Sequence, residues 1–222
     1  MYNSLAAIQA YLLPLPGTTR LILRRKAELF LKGQNADALY FIERGLIKLD
    51  RPADGDRCVT LDLCAAGDLL GEESLTPQQV YQTQAEALTP LAVFRIPSNQ
   101  ALEAAATNPL LAMFLLEATL RRKQAIERRL ELVAAHDVER RILLCLADLS
   151  ARGEKEDNGA SSLPLTQRDV ANLIGATRET TSLMLNQMER SGLISLSRGK
   201  ISIQSADILR DAAYPMAQPL AS

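Results

Sequence analysis

The apolar residues change their period along the chain, and each change predicts a different kind of element. From residue 19 to about residue 97, short apolar runs alternate with glycine-centred turns. Leu39-Tyr40-Phe41-Ile42 and Leu46-Ile47-Lys48-Leu49 flank Gly45, and further turns fall at Asp54-Gly55-Asp56 and Ala66-Gly67-Asp68. Strands recurring at so close a spacing predict antiparallel β-structure closed into a small barrel or jelly roll, that is, a double-stranded β-helix, rather than a helical meander. After Pro97 the period becomes helical. Residues 99–106 are rich in alanine, and Pro109 opens a stretch with hardly a helix breaker before Gly153. Pro109 suits a first helical turn, and Leu116, Leu120, Leu130 and Val133 form an apolar seam among Arg121, Arg122, Lys123, Glu127, Arg128, Arg129 and Glu131. A helix from 109 to about 134 spans roughly 39 Å, longer than a domain this size needs internally. A partner helix is the natural cover, with Leu116, Leu120 and Leu130 as dimerisation contacts. The competing reading is a solvated charged helix lying on its own domain.

His136-Asp137-Val138 interrupts the charge run, and a further helix follows over 138–151, with Asp137 as N-cap and Ile142, Leu143, Leu146 and Leu149 spaced for burial. Residues 153–162, GEKEDNGASS, read as an exposed polar loop. These boundaries give an α+β chain in three parts: a β-roll over 1–108, a long helix over 109–136, and a C-terminal domain over 137–222.

The most informative stretch is residues 165–194, LTQRDVANLIGATRETTSLMLNQMERSGLI. Thr166 caps a helix whose Val170, Leu173 and Ile174 face inward, Ala171 allows close helix approach, and Gly175 permits a tight turn. Thr177 caps a second helix that buries Thr181, Met184, Leu185 and Met188 and leaves Arg178, Glu179, Thr180 and Ser182 towards its exposed N-terminal side; Gly192 ends it. That is the pattern of a helix-turn-helix, whose second helix offers its first two turns to base edges in the major groove. Next, Ile194-Ser195-Leu196-Ser197 and Ile201-Ser202-Ile203 alternate across Arg198-Gly199-Lys200, a strand-turn-strand wing with two cations at its tip for phosphate.

Charge modifies this picture only locally. The 222 residues carry 25 Lys plus Arg against 26 Asp plus Glu, a net charge of −1, so any DNA contact must come from a patch. Between 164 and 210 six cations (Arg168, Arg178, Arg190, Arg198, Lys200, Arg210) face four anions (Asp169, Glu179, Glu189, Asp207). Cys58, Cys64 and Cys145 are too scattered for a disulfide framework and point to a reducing cytoplasm; Cys58 and Cys64, placed on adjacent strands, are a redox pair or two small buried side chains. Neither a secretory leader nor an uninterrupted apolar run of membrane-spanning length is expected. With one histidine, no P-loop and no Ser-His-Asp ordering, catalysis is not expected either.

The chain resembles the CRP/FNR superfamily of bacterial transcription regulators over nearly its whole length. TRETTSLMLNQMERSGLIS is similar to the family's recognition helix, and YFIERGLIKL and AAGDLLGEESL are similar to the turn glycines and Gly-Glu pair of its cyclic-nucleotide-binding roll. The resemblance implies a homodimer through the long helix, a two-fold symmetric operator in double-stranded DNA, and recruitment or occlusion of RNA polymerase. Arg178 and Glu179 match the family's DNA-contacting pair, and their chemistry suits guanine acceptors and the cytosine amine. Thr177, Thr180, Ser182, Gln167, Arg198 and Lys200 complete the expected DNA-binding set. The family's next arginine is replaced by Leu183, whose side chain suits a thymine methyl, so a different operator is expected.

The effector reading is less complete. A cyclic phosphate needs an arginine and an adjacent hydroxyl, where this chain has Tyr81-Gln82-Thr83. Gly71 and Glu72 are retained on the ribose side, but Gln82 brings no charge, so control by cAMP is not expected. An anionic small-molecule effector such as a 2-oxo acid would use Arg121 or Arg122; the competing reading puts both on a solvated or interhelical face, with activity set by protein abundance. Three cysteines fall short of iron–sulfur ligation, and His136 at the hinge reads as a capping or packing residue rather than a haem ligand. The alternative function is a protein-interaction module with a degenerate DNA-binding domain, to which Leu183 and the small cationic excess point.

Overall fold

The computed structural model describes residues 11–53, 58–157 and 159–214, so the Asp54-Gly55-Asp56 turn lies outside the described residues. The chain divides into two compact units, Met1–Glu127 and Arg128–Ser222, with the division inside the long helix.

In the first unit, β1 (Thr19–Leu23), β8 (Leu91–Pro97), β3 (Ala38–Arg44) and β6 (Leu69–Leu70) form one four-stranded antiparallel sheet in that order. The second sheet runs β2 (Glu28–Phe30), β7 (Gln84–Ala87), β4 (Leu46–Pro52), β5 (Cys58–Ala65). Both sheets contribute to one core, with Phe30, Ile47, Leu49 and Ala85 from one and Tyr40, Ile42, Leu70 and Val93 from the other. The opposite face of the first sheet is covered by α1 (Ser98–Thr107) and the start of α2 (Pro109–Ala135), where Leu39, Phe41 and Ile96 meet Ala101, Leu111 and Phe114. Strand β3 is therefore buried on both faces, which is why Ala38 to Ile42 is apolar without alternation. Burying a side chain such as Leu111 contributes roughly 2 kcal/mol to that helix-on-sheet layer.

Gly45 joins β3 in one sheet to β4 in the other, so the two strands flanking it turn a corner of the roll instead of pairing. Its φ of +99° and a virtual Cβ 2.5 Å from the Pro90 carbonyl oxygen leave room for glycine only. Cys58 and Cys64 correct the sequence expectation: both lie on β5, not on adjacent strands. At about 3.3 Å per residue they stand roughly 20 Å apart, too far for a disulfide.

The second unit contains the end of α2 and α3 (Val138–Leu149), α4 (Gln167–Ile174), α5 (Arg178–Arg190) and α6 (Ala206–Ala213), with a sheet ordered β11 (Ile194–Ser197), β12 (Lys200–Ile203), β10 (Ser161–Leu163), β9 (Glu154–Lys155). Asp137 caps α3, accepting a hydrogen bond from the Arg140 amide at 2.9 Å. The helix stops at Leu149 and tightens into a 3-10 turn over Ser150–Arg152. The segment expected to be an exposed loop, 153–162, instead supplies β9 and the start of β10. Ser161 and Ser162 are buried, and the Ser161 hydroxyl donates to the Ser150 carbonyl, which satisfies a polar side chain that its composition assigns to the surface.

Arg141 anchors this unit. Its guanidinium donates to the Val133 carbonyl at 2.7 Å, the His136 carbonyl at 2.8 Å and the Ile174 carbonyl at 3.4 Å. One side chain thus satisfies carbonyls at the C-terminal ends of α2 and α4, groups that a helix cannot pair internally.

Candidate nucleic-acid interface

Two side-chain caps hold the helix-turn-helix. Thr166 and Asp169 form a reciprocal capping box at the start of α4. The Thr177 hydroxyl accepts from the Thr180 amide at 3.2 Å at the start of α5. Between them Gly175 takes a φ of +66°, the left-handed conformation that ends α4.

Helix α5 buries Thr181, Leu185 and Met188, spaced i, i+4, i+7, against its own unit. Thr181 is polar yet fully buried, and its hydroxyl donates to the Thr177 carbonyl at 2.8 Å. Arg178, Glu179 and Thr180 are exposed, Ser182 is half-buried, and Leu183 is exposed. Asn186, which the sequence reading missed, is exposed and continues the Glu179–Ser182 face at helical spacing, the signal by which it could have been found.

The wing is a hairpin in which Ser197 pairs with Lys200 across Arg198-Gly199. The last turn of α5 fixes it, since the Glu189 carboxylate accepts from the Leu196 amide at 2.8 Å. Gln167, Arg168, Arg178, Arg198 and Lys200 all line one open groove of about 450 Å³ between the start of α4 and the wing. The modest cationic excess of this domain is thus concentrated at one place. The wing cations differ in one respect: Lys200 contacts the Glu156 carboxylate at 2.8 Å, whereas Arg198 stands exposed at the tip.

The residues expected to form an effector pocket separate in the first unit. Gly71 has a φ of +79° and caps the 3-10 turn Glu72–Leu75. Arg122 reaches in from α2, 3.0 Å from the Glu72 carboxylate, and donates to the Leu69 carbonyl at 2.5 Å. Burial pushes the Glu72 carboxyl up, against the pull of Arg122. Burial also opposes the charge on Arg122, but Cys64, Glu72 and Asp62 around it outweigh burial and keep it a cation. Arg121 does not join them. One residue further round the helix, it is exposed and pairs with Glu117, which corrects its place in the expected pocket. Gln82 is exposed, with its amide nitrogen 3.4 Å from the Val80 carbonyl oxygen, while Thr83 is buried.

His136 packs edge-on against Tyr214, with ring centroids 6.1 Å apart. Burial pushes the Cys145 thiol up to about 11, far from the range of a reactive thiolate. Among the described residues no group of three His, Cys, Asp or Glu side chains could hold a metal ion, and no helix is long and apolar enough to cross a membrane.

Comparison with known proteins agrees with this geometry. A cyclic nucleotide-binding domain family matches residues 20–108, and a Crp-like helix-turn-helix domain family matches residues 140–212. The transcriptional regulator LdrP of Thermus thermophilus is 31% identical over 80% of this chain and 88% of its own length. The anaerobic regulatory protein of Bacillus subtilis is 27% identical over 87% of this chain and 83% of its own. Among solved structures, FixK2 from Bradyrhizobium japonicum superposes with a TM-score of 0.78 at 20% identity, covering 90% of this chain and 99% of that one. Sequence and fold therefore converge: the chain belongs to the CRP/FNR superfamily and is a DNA-binding transcription regulator.

Proposed function

We propose that the chain works in the cytoplasm as a homodimer on a palindromic operator, with α5 of each copy in the major groove of one half-site. Arg178 reads guanine N7 and O6, and Glu179 accepts from the cytosine amine. Thr177, Thr180 and Ser182 bind backbone or base edges, while Gln167, Arg198 and Lys200 hold phosphates. The observation that carries this reading is the exposed first turn of α5 bordering a groove lined by Arg168, Arg178, Arg198 and Lys200. The exposed Leu116, Leu120 and Leu130 of α2 support dimerisation, which would set the two α5 helices about 34–36 Å apart on DNA. Recruitment or occlusion of RNA polymerase is the outcome.

The same reading makes cAMP a poor effector. Gln82 offers no charge to a cyclic phosphate, and the Glu72 carboxylate expected on the ribose side is engaged by Arg122.

The test is capture of genomic DNA fragments on the purified protein at moderate and high salt. The expected result is an enriched palindrome whose binding weakens steeply with salt as counterions are released. Arg178→Ala should cost about 1–3 kcal/mol and relax selectivity at one position in each half-site. Unchanged selectivity would remove Arg178 from the reading head, and salt-insensitive binding without a palindrome would favour a protein-interaction role.

A further inference from the structure

The sheet of the second unit brings an acid to the wing. Glu156 directly follows β9, in a segment whose composition predicts only a surface loop, and a closed turn fixes its backbone. Its amide donates to the Ala160 carbonyl and its carbonyl accepts from the Gly159 amide, both at 2.9 Å. From there the side chain reaches past β10 to β12, where Lys200 and Ser202 share one face of the strand, opposite the buried Ile201 and Ile203. A single carboxylate oxygen, Oε1, lies 2.8 Å from the Lys200 ammonium and accepts from the Ser202 hydroxyl at 2.8 Å. An ammonium and a hydroxyl converging on one anionic oxygen are donors of the kind that proteins offer to a phosphate oxygen of DNA. Lys200 also lines the groove that carries Arg178 and Arg198.

We propose that Glu156 is an internal stand-in for a DNA phosphate, holding Lys200 and so limiting how tightly the wing grips the duplex; this rests on the reading of Lys200 as a phosphate ligand. To take a backbone phosphate, Lys200 must give up the Glu156 carboxylate or share it. In either case a second anion stands close to the phosphate and weakens the contact. The competition is effective because Glu156 is held ready for it. With its backbone pinned, its oxygen seated on Ser202 and its side chain only 23% exposed, it loses less freedom in the pair than two long side chains meeting in water. Phosphates carry no sequence information, so the limit applies to every duplex alike. Glu156 sets the general affinity, and the choice of operator is left to α5.

The test is a double-mutant cycle on the full chain, with binding to the captured operator and to a shuffled duplex followed by fluorescence anisotropy across a salt series. Glu156→Gln keeps an oxygen for the Ser202 hydroxyl and removes the charge. It should tighten both duplexes by roughly three- to fivefold at low salt, with an unchanged melting temperature, and the gain should shrink as salt screens the pair. Lys200→Ala should flatten the slope of log affinity against log salt by about 0.9, and in that background Glu156→Gln should gain nothing. No tightening by Glu156→Gln, an equal gain with and without Lys200, or a gain confined to the operator would each overturn the proposal, while the flatter slope of Lys200→Ala would keep Lys200 on the DNA backbone. An unchanged slope in Lys200→Ala would instead remove the phosphate reading of Lys200, and the proposal with it.

Discussion

Arg122 and Arg178 carry the same guanidinium and stand in opposite surroundings. Arg122 is half-buried against the β-roll, with Glu72 and the Leu69 carbonyl around it, so its charge is answered within the unit. Arg178 opens α5 in the exposed first turn, beside a groove with three further cations. The first charge serves the fold; the second is left for a ligand that brings its own negative charge. Both helices present their arginines in runs of polar residues, so the division comes from which face of each helix finds a sheet to cover.

Arg122→Ala would break the contrast most directly, stranding Glu72 with its charge unanswered. It should lower the stability of the first unit by about 3 kcal/mol in urea unfolding; a loss below about 1 kcal/mol would mean that water already screens the pair. On the DNA side, Thr177→Ala removes the cap that holds the start of α5 and should cost about 1 kcal/mol of stability, readable as a lower melting temperature. Arg198→Ala should weaken binding to all sequences alike and reduce the slope of log affinity against log salt by about 0.9; an unchanged slope would take the wing tip off the phosphate backbone. The smallest effect concerns Glu72. Burial raises its folded carboxyl above the ordinary 4.5, so the fold holds that proton to higher pH than the unfolded chain does. Its contribution is complete below 4.5 and is lost as pH rises through the folded value. Native stability relative to Glu72→Gln should therefore fall with rising pH above 4.5, and a constant difference would place the carboxyl at its ordinary value.

The DNA-binding half was largely legible because its signals are local. Thr166, Gly175 and Thr177 mark their turns through side-chain and backbone chemistry that needs no distant partner. Strand β3 could be read as a strand, but its two buried faces depend on a second sheet and a helix contributed by later residues. The short strand containing Ser161 and Ser162 was hidden, since both are polar yet buried, and the acceptor for the Ser161 hydroxyl is the Ser150 carbonyl in the turn that follows α3. Arg121 and Arg122 are indistinguishable by spacing until the roll selects one face of the helix. Arg141 left no pattern at all, because its three partners are carbonyls that every sequence possesses.

That last residue has a mechanical consequence. With Val133, His136 and Ile174 gripped by one guanidinium, the final turn of the long helix and the first helix of the reading head form a single lever. Within the second unit the guanidinium is thus a tie-rod: its three hydrogen bonds fasten that final turn to the end of α4.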